Sequence, residues 1–440
     1  MAKLKKQHMT IHWKAIVQDD ASIPATEATL KEKATLVGRV GLMMLSVGTS
    51  AWRVRNSMNK VSRCLGLTCS ADIGLLSISY TCIEETNTYT QSISIPNTGV
   101  NTHKLMQLEL FMREFPEKVC ACSVKQIHEV LDQIRDLPAN YSAWKLGLAA
   151  AFACSAFTFL LGGGLVEMCC AFLGAGIGNF IRKQMLERKL SLLANVAVSV
   201  AAACIIYVLS ILLAQQLFSI SEVHQAGYIC AMLFVIPGFP LITGGIDLAK
   251  LDMRSGLERI SYAILIILTA TMTGWVTAMA FRFQPADFKP LEIQTELLIV
   301  FRILASFCGV YGFSLMFNSP RKIAFTAGLI GMLTNTLRLE LVELAGVPMG
   351  IAAFIGAFCT GCIASAVKKK IGFPRISLTV PAIVIMVPGL YMYRGIYYMG
   401  LNDISNGAVW LTKACLIVVS LPLGLVTARF FTDKDFRHCT

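Results

Sequence analysis

Four acidic residues stand inside or at the ends of long apolar stretches, where a charge is expensive. They are Glu167, Asp247, Asp252 and Asp403. A charged side chain at the centre of a membrane helix costs about 2.5 to 3.5 kcal/mol on insertion scales, so such residues are functional candidates. Carboxylates in this setting can bind and release protons, and all four are predicted to couple proton movement to the activity.

Each of these carboxylates also has a plainer interpretation. Glu167 follows three glycines and could lie at the outer membrane interface beside a turn. Asp252 and Asp403 could be helix N-caps or turn contacts, because aspartate is preferred at the N-cap. Asp247 could instead face an ammonium group. The sequence leaves these alternatives open.

Two further polar residues could bind a small zwitterion. Arg394 lies six residues after Pro388, and its guanidinium group could bind a carboxylate, although an isolated loop arginine could equally be solvated. Asn335, at the end of another apolar run, offers an uncharged donor and acceptor suited to a hydroxyl side chain. It could instead form a hydrogen bond between two helices.

A sequence repeat organises these residues. The stretch 231–258 aligns with 383–409 at a constant offset of 151, without a gap. The alignment pairs Pro237 with Pro388, Gly238 with Gly389, Gly244 with Gly395, Asp252 with Asp403, and Gly256 with Gly407. Five matches in register indicate an internal repeat.

Each copy of the repeat carries a Pro-Gly pair inside an apolar run. Proline breaks a helix, and a break at membrane depth survives where the freed backbone groups face protein or a polar cavity. The ends of the half-helices offer unpaired N–H and C=O groups and a dipole to a zwitterion. Pro237, Gly238, Pro388 and Gly389 are therefore the strongest predicted ligand-binding positions.

The composition places the chain in a membrane. Of the 440 residues 55% are hydrophobic and only 15% are charged, with a mean hydropathy of +0.62. These values predict a polytopic membrane protein in contact with the lipid bilayer and exclude an ordinary soluble protein. The net charge of +12 comes from lysines and arginines in short segments between apolar runs, a pattern of membrane topology rather than nucleic-acid binding.

Ten apolar runs predict about ten transmembrane helices: 146–161, 166–180, 192–213, 226–243, 260–281, 297–316, 323–337, 347–367, 376–391 and 409–427. The second and seventh runs span only 15 residues, fewer than the roughly 20 that a straight helix needs. With the amino terminus inside the cell, most basic residues fall in cytoplasmic gaps, as the positive-inside rule requires.

An odd number of helices in each half inverts the second half. The predicted fold is an α-helical polytopic membrane protein with two inverted five-helix repeats, 141–284 and 285–440, plus an N-terminal cytoplasmic α/β domain over 27–140. Residues 1–26 are predicted to be a flexible lead-in. Inverted repeats with paired broken helices are typical of transporters that bind a small molecule near the midplane and work by alternating access.

The N-terminal domain combines helical and strand patterns. Apolar residues recur at helical spacing over 27–66, the stretch 65–84 alternates as a strand, and 88–95 is its predicted hairpin partner. Two more helices are predicted at 101–115 and 123–137. The basic amino terminus lacks an apolar core, which predicts that there is no cleavable signal peptide and that this domain stays in the cytoplasm.

No pattern in the sequence indicates an enzyme. The 15 cysteines are scattered, and the CxxC spacing of Cys359 and Cys362 lies in a predicted membrane helix, where helix packing is favoured over metal or redox chemistry. There is no P-loop, no credible metal cluster and no set of catalytic residues. The sequence therefore predicts no cofactor, no metal and no catalytic residue, and it leaves open whether the chain forms a homo-oligomer.

Several motifs resemble the threonine/serine exporter family of bacterial membrane transporters. They are the stretch 41–58, GLMMLSVGTSAWRVRNSM, followed by 65–67; 99–101, with Leu105 and Leu108; the glycines 162–164 with Glu167; and the two Pro-Gly helices at 235–238 and 386–389. The resemblance covers roughly residues 30 to 430. It implies proton-driven export of small amino acids across the inner membrane. The family usually has an acidic residue after the Arg53-Val54 pair, whereas this chain has Arg55 and Asn56.

Two alternatives accompany this expectation. Split relatives of the family are associated with dicarboxylates, so a succinate-type exporter is the second choice. A membrane-anchored enzyme or sensor acting through the cytoplasmic domain is the third. The paired Pro-Gly breaks argue against this third reading, because a passive anchor has no need of two symmetric interruptions.

Overall fold

The computed structural model describes residues 11, 13, 23–118, 121–218, 225–283, 288, 291 and 293–437. Most of the predicted lead-in therefore lies outside the described residues. The chain forms two compact units. Unit 1 comprises Met1–Ala139 together with Asp247–Arg259, and unit 2 comprises Asn140–Ile246 and Ile260–Thr440. The sequence did not indicate that the segment 247–259 belongs with the N-terminal residues.

The described N-terminal residues of unit 1 form four helices and a three-stranded antiparallel sheet in the order β1-β2-β3. These elements are α1 (Leu30–Ser46), α2 (Ala51–Cys64), β1 (Thr68–Ile73), β2 (Ser77–Glu84), β3 (Asn87–Ser94), α3 (Thr102–Lys118) and α4 (Val124–Arg135). Capping boxes start α1 at Thr29 and α4 at Ser123, where each side chain accepts a backbone N–H of the first turn.

Two predicted elements of this region are each divided in the structure. The helical stretch 27–66 breaks between α1 and α2, where Gly48 has a φ of 87°, a left-handed conformation that glycine adopts without strain. The predicted strand 65–84 is a hairpin, because the N–H of Gly74 donates to the carbonyl of Ser77 at 2.8 Å. Alternation of residue types does not reveal such short turns.

The core of unit 1 lies between α1 and the sheet. Leu36 and Val40 on α1 and Ile78 and Tyr80 on β2 are almost completely buried. The Tyr80 hydroxyl donates to the carbonyl of Ala34 at 3.0 Å, so the one polar atom of this side chain is paired.

Unit 2 repeats one order of elements twice. The first half has α5 (Ala143–Leu160), α6 (Leu165–Glu187), α7 (Leu192–Phe218), the pair α8 (Tyr228–Ala231) and α9 (Gly238–Ala249), and α10 (Met253–Ala280). The second half has α11 (Thr295–Met316), α12 (Arg321–Glu343), α13 (Met349–Ile371), the pair α14 (Arg375–Val384) and α15 (Gly389–Gly400), and α16 (Ile404–Thr432). Each half thus has three long helices, a broken pair and a fourth long helix.

Seven helices of the described chain are long and apolar enough to cross a membrane, and nine spans result if each bent pair is one span. The protein is therefore a mostly helical, multi-pass membrane protein. The seventh predicted segment corresponds to α12, which is not among the nine because its second half carries Asn335, Arg338 and Glu340. The count of ten spans and the inversion of the second half stay predictions.

The predicted short second and seventh segments are wrong in length. The corresponding helices, α6 and α12, each have 23 residues. Arginine, lysine, glutamine and glutamate favour helix nearly as well as leucine, so both helices continue beyond their apolar parts into charged sequence. A prediction from hydropathy includes only the apolar part of such a helix and therefore makes the helix too short.

Candidate substrate site at two broken helices

The two Pro-Gly pairs mark sharp bends between half-helices. In the first, α8 and a short 3-10 turn at Leu233–Val235 are followed by α9 with a bend of 56°. In the second, α14 is followed by α15 with a bend of 49°. In both, the second half-helix begins at the glycine of the pair, Gly238 or Gly389. The predicted helix breaks are present in the structure.

The local backbone repeats at the same offset as the sequence. The matching N–H to C=O bonds are Ile236 to Leu233 with Val387 to Val384, Gly238 to Ile236 with Gly389 to Val387, Leu241 to Pro237 with Met392 to Pro388, and Asp252 to Asp247 with Asp403 to Tyr398. Leu251 and Asn402, which also correspond, have φ angles of 62° and 63°. The same turn is built twice from largely different side chains.

The two breaks lie against each other. A Cβ atom added to Gly389 would collide with Cδ1 of Ile236 and lie 2.9 Å from Cδ2 of Leu233. A Cβ atom on Gly238 would lie 3.1 Å from Cγ2 of Val384. Each glycine therefore allows its break to approach the residues just before the other break, and a larger residue would require these side chains to shift.

The backbone at the two breaks is buried, and one of its carbonyl groups accepts a hydrogen bond from another helix. Pro237, Gly238, Pro388 and Gly389 are all buried. The carbonyl of Phe234, just before the first break, accepts a hydrogen bond of 3.0 Å from Nη1 of Arg182 on α6. A charged donor from a neighbouring helix thus replaces a bond that an unbroken helix would make within itself.

Glu167 and a tyrosine pair lie at the start of the first broken helix. The hydroxyls of Tyr228 on α8 and Tyr393 on α15 are 2.5 Å apart and link the two broken helices. A Cβ atom on Gly227 would lie 3.0 Å from Cβ of Glu167. Glu167 is only 6% exposed, and its carboxylate accepts the N–H of Gly164 at 3.0 Å, the turn contact of the plainer interpretation.

Arg394 and Asn335 are both buried in unit 2. The guanidinium carbon of Arg394 lies 4.8 Å from the centre of the Trp410 ring, so the alternative of a solvated loop arginine is wrong. Asn335 donates from Nδ2 to the hydroxyl of Ser306 at 2.9 Å and thereby links α12 to α11. Its Oδ1 is buried and has no hydrogen-bond partner among the described residues.

Asp403 and Asp252 occupy equivalent turns but make different contacts. Asp403 is the N-cap of α16 and accepts the N–H of Asn406 at 3.2 Å. Asp252 instead pairs with Arg55 of α2 at 2.5 Å, within unit 1. Arg55 is the residue at which the chain departs from the family pattern noted above, so the departure supplies the partner of Asp252.

Asp247 caps a helix that is distant in sequence. The N-cap residue of α2, Ser50, makes no side-chain capping bond. The N–H of Ala51 donates instead to Oδ1 of Asp247 at 2.9 Å. Aspartate here fills the capping role that a residue of the helix usually fills.

The same carboxylate is paired with a cation on α10. Oδ2 of Asp247 lies 3.1 Å from Nε of Arg259 and accepts the Ser255 hydroxyl at 2.9 Å. Arg259 also donates from Nη2 to the carbonyl of Thr49 at 2.7 Å. Both charges are almost completely buried, so each needs the other and the surrounding hydrogen bonds.

The rest of the segment 247–259 binds the β1–β2 turn. Glu258 accepts the N–H of Leu75 at 2.5 Å, and Arg254 pairs with Asp72. The turn between α9 and α10 belongs to unit 1 and contacts the α1–α2 junction, α2 and the hairpin of the same unit.

Two family models match the sequence. The model described as "Putative threonine/serine exporter" matches residues 35–282, which is more than half of the chain. The model described as "Threonine/Serine exporter, ThrE" matches residues 302–431. The chain belongs to the threonine/serine exporter family. The resemblance seen in the motifs is confirmed.

Relatives in this family carry two different substrate names. The chain is 22% identical to the "Probable threonine/serine exporter" of Mycobacterium tuberculosis, covering 90% of this chain and 75% of that protein. It is 26% identical to the "Probable succinate transporter subunit YjjP" of Klebsiella aerogenes, covering 54% of this chain and 89% of that protein. The Escherichia coli protein of the same name is 25% identical, over 54% of this chain and 90% of its own length. No solved structure matches.

Sequence reasoning missed four residues of the candidate site. Arg182, Tyr228 and Tyr393 were not singled out, although an arginine beside an apolar run is a recognisable signal. Arg338, which directly follows the seventh apolar run, was not singled out either. In the structure it lies on α12, and its Nε is buried without a hydrogen-bond partner among the described residues.

Arg338 approaches the second broken helix. A Cβ atom on Gly356 of α13 would lie 3.3 Å from Cβ of Arg338 and 3.3 Å from Sδ of Met386. Met386 stands two residues before Pro388. The missing side chain at Gly356 thus lets the base of the Arg338 side chain and the side chain of Met386 both approach α13.

Proposed function

We propose that the protein exports threonine, serine or a similar small polar amino acid across the bacterial inner membrane by alternating access, with the N-terminal residues of unit 1 in the cytoplasm. The observation that carries this proposal is the direct packing of the two breaks, Gly238 and Gly389, against the residues before the opposite break. Broken helices that meet in this way are suited to binding a small zwitterion at the centre of a transporter.

The geometry of the breaks favours a carboxylate. Gly238 begins α9 and Gly389 begins α15, so two helix amino termini start at the place where the breaks meet. Helix amino termini carry partial positive charge and unpaired N–H groups, which stabilise anions. The substrate carboxylate is placed there, with Pro237 and Pro388 holding the bends open.

Arg338 is the cation that we assign to this carboxylate. The Nε of Arg338 is buried without a hydrogen-bond partner among the described residues, and an anionic ligand would supply one. Arg394 on the other side of the second break adds positive potential, and Asn335, one turn before Arg338, offers Oδ1 to the substrate hydroxyl or ammonium. Serine and threonine each carry a carboxylate, an ammonium group and a hydroxyl group.

Proton coupling is assigned first to Glu167. It is a buried carboxylate, and its neighbour Gly227 directly precedes Tyr228, where the first broken helix begins. Protonation would remove its charge and weaken its hold on the N–H of Gly164. A second role in proton coupling is assigned to the turns that follow the two broken helices, which carry Asp247, Asp252 and Asp403. A change of charge there alters the turn rather than the substrate site.

A dicarboxylate exporter is the second candidate function. The specific observation in its favour is the meeting of two helix amino termini, together with Arg338 and Arg394, which could bind two carboxylates as well as one. The succinate name of the Klebsiella relative points the same way.

One flux experiment separates the two candidates. Proteoliposomes containing the purified protein are loaded with serine, and uptake of labelled threonine is measured with external serine or succinate as competitor. We expect serine to compete and succinate to have little effect, with uptake increased by a proton gradient. Uptake of labelled succinate in place of threonine would transfer the assignment to the second candidate, and no flux of either would refute both.

A further inference from the structure

The β1–β2 hairpin of unit 1 places two cysteines opposite each other. Cys69 on β1 and Cys82 on β2 are direct partners in the antiparallel register. Both side chains lie on the inner face of the sheet, where Cys82 is buried and Cys69 is half-buried.

The position of this pair in the hydrogen-bond pattern follows from the turn. Gly74 and Ser77 form a hydrogen-bonded pair, because the N–H of Gly74 donates to the carbonyl of Ser77. Hydrogen-bonded and non-hydrogen-bonded pairs alternate along an antiparallel ladder. Five steps from the turn, Cys69 and Cys82 form a non-hydrogen-bonded pair.

A non-hydrogen-bonded pair brings the two side chains closest. Its Cα atoms are about 4.5 Å apart in an ordinary sheet. Disulfides span Cα separations of about 4.4 to 6.8 Å, so the sulfur atoms can bond without a change of register.

The two thiols are also chemically distinct. They share a hydrogen bond that lowers the pKa of the Cys69 thiol, whereas the same contact and then burial raise the pKa of the Cys82 thiol. The more accessible sulfur is thus the better nucleophile, and the buried sulfur is placed beside it.

We propose that Cys69 and Cys82 form a reversible redox site, in which a small-molecule disulfide converts the two thiols into a cross-strand disulfide. The Cys69 thiolate attacks one sulfur of the small disulfide and releases one thiolate. The Cys82 sulfur then attacks Sγ of Cys69, releases the second thiolate and loses its proton to it. Two protein thiols are oxidised, and one disulfide is reduced to two small thiols.

The oxidised pair would act on the hairpin that holds the segment 247–259. The turn of this hairpin donates the Leu75 N–H to Glu258, and Asp72 on β1 pairs with Arg254. A bond between β1 and β2 restrains the strand that carries Asp72. In a reducing cytoplasm such a disulfide is transient, as expected of a redox-sensing site.

The test uses the full-length reduced protein in detergent, incubated with oxidised glutathione. Free thiols are trapped with N-ethylmaleimide in acidic denaturant, and peptides are analysed by mass spectrometry. We expect the peptides of Cys69 and Cys82 to appear joined and two hydrogen atoms lighter than their sum. Dithiothreitol should restore two alkylated cysteines.

Two cysteine-to-serine variants test whether the disulfide joins Cys69 to Cys82. Cys64→Ser, which removes the half-buried cysteine at the end of α2, should leave the joined peptide unchanged. Cys82→Ser should instead accumulate a glutathione adduct at Cys69. If Cys69 and Cys82 of the wild-type protein are both recovered alkylated, or if Cys69 keeps its glutathione adduct while Cys82 is alkylated, the proposal is wrong. The wild-type result decides even where a variant fails to fold.

Discussion

Charged side chains with buried polar atoms fall into two kinds in this protein. Asp247 and Arg259 are paired with each other and with backbone groups of unit 1, so their charges are compensated within the protein. Arg338 has a buried Nε without a hydrogen bond among the described residues. A pair of the first kind supports structure, whereas an uncompensated cation near a helix break is where an anionic substrate would bind.

Arg338→Gln tests the assigned carboxylate contact. Hydrogen bonds to charged groups contribute about 1.5 to 3 kcal/mol, so we expect the half-saturating threonine concentration to rise roughly 10- to 100-fold. Arg338→Lys keeps the charge but not the forked geometry of the guanidinium group. Its half-saturating threonine concentration should lie between those of the wild type and Arg338→Gln. The measurement is initial uptake against threonine concentration in proteoliposomes.

A control is available on the neighbouring helix. Arg302 of α11 pairs with Glu340 at 2.9 Å and therefore already has a carboxylate. Arg302→Gln should leave the half-saturating concentration nearly unchanged. Equal effects of the two glutamine variants would contradict the special role of Arg338.

His128 makes the stability of unit 1 depend on pH. Burial, followed by the nearby Arg39 charge, lowers the pKa of His128 to about 4. Nη1 of Arg39 lies 2.8 Å from Nδ1 of His128, and because arginine only donates, this nitrogen must be the acceptor of a neutral ring. Asp132, which also pairs with Arg39, faces the same group and opposes the shift.

The folded state thus resists protonation that the unfolded state accepts. Above pH 6.5 both states hold a neutral ring and this stability is complete. As the pH falls from about 6.5 to 4, the unfolded state gains a proton first, and up to about 3 kcal/mol of stability is lost. Pulse proteolysis in urea, followed in peptides of 124–135, should show this loss in wild type and a smaller one in His128→Gln. The same slope in both would contradict the assignment.

At the scale of elements, the broken helices were predictable, whereas the contacts that hold the turn after the first of them were not. The Pro-Gly pairs and the offset of 151 located both breaks, because proline and glycine act on the local backbone. The contact of Asp247 with Ala51 joins residues 196 positions apart. Nothing local in the sequence distinguishes such a carboxylate from one that binds protons.

Asp247→Ala tests the element-scale role. Removing one member of a buried, hydrogen-bonded ion pair typically costs about 3 to 5 kcal/mol, and α2 also loses its cap. Asp403→Ala is the matched control, because it removes only an N-cap within one helix and should cost about 1 kcal/mol. Pulse proteolysis in urea measures both. Similar losses in the two variants would show that the Asp247 network contributes no more than an ordinary cap.

At the scale of the whole molecule, the sequence predicted the class of protein and the site only in outline. Hydropathy located every long helix of unit 2 but shortened α6 and α12, whose charged ends are helical. The repeat predicted the two breaks but not that they pack together, since that depends on glycines meeting side chains from the opposite break. The Tyr228–Tyr393 contact was likewise invisible, because its members have no equivalents in the repeat.

The most direct test of the central claim is threonine counterflow in proteoliposomes, comparing wild type with Gly389→Ala and Gly350→Ala. A Cβ atom at Gly389 collides with Ile236, whereas one at Gly350 of α13 comes no closer than 3.5 Å to any neighbour, Oγ of Ser420. Overpacking costs about 1 to 3 kcal/mol, which lowers a rate roughly tenfold or more if it acts on the conformations that transport requires.

We predict exchange by wild type and Gly350→Ala, and a loss of roughly tenfold or more in Gly389→Ala while the protein remains folded and inserted. Full exchange by Gly389→Ala would contradict the claim that the meeting of the two breaks is the transport site.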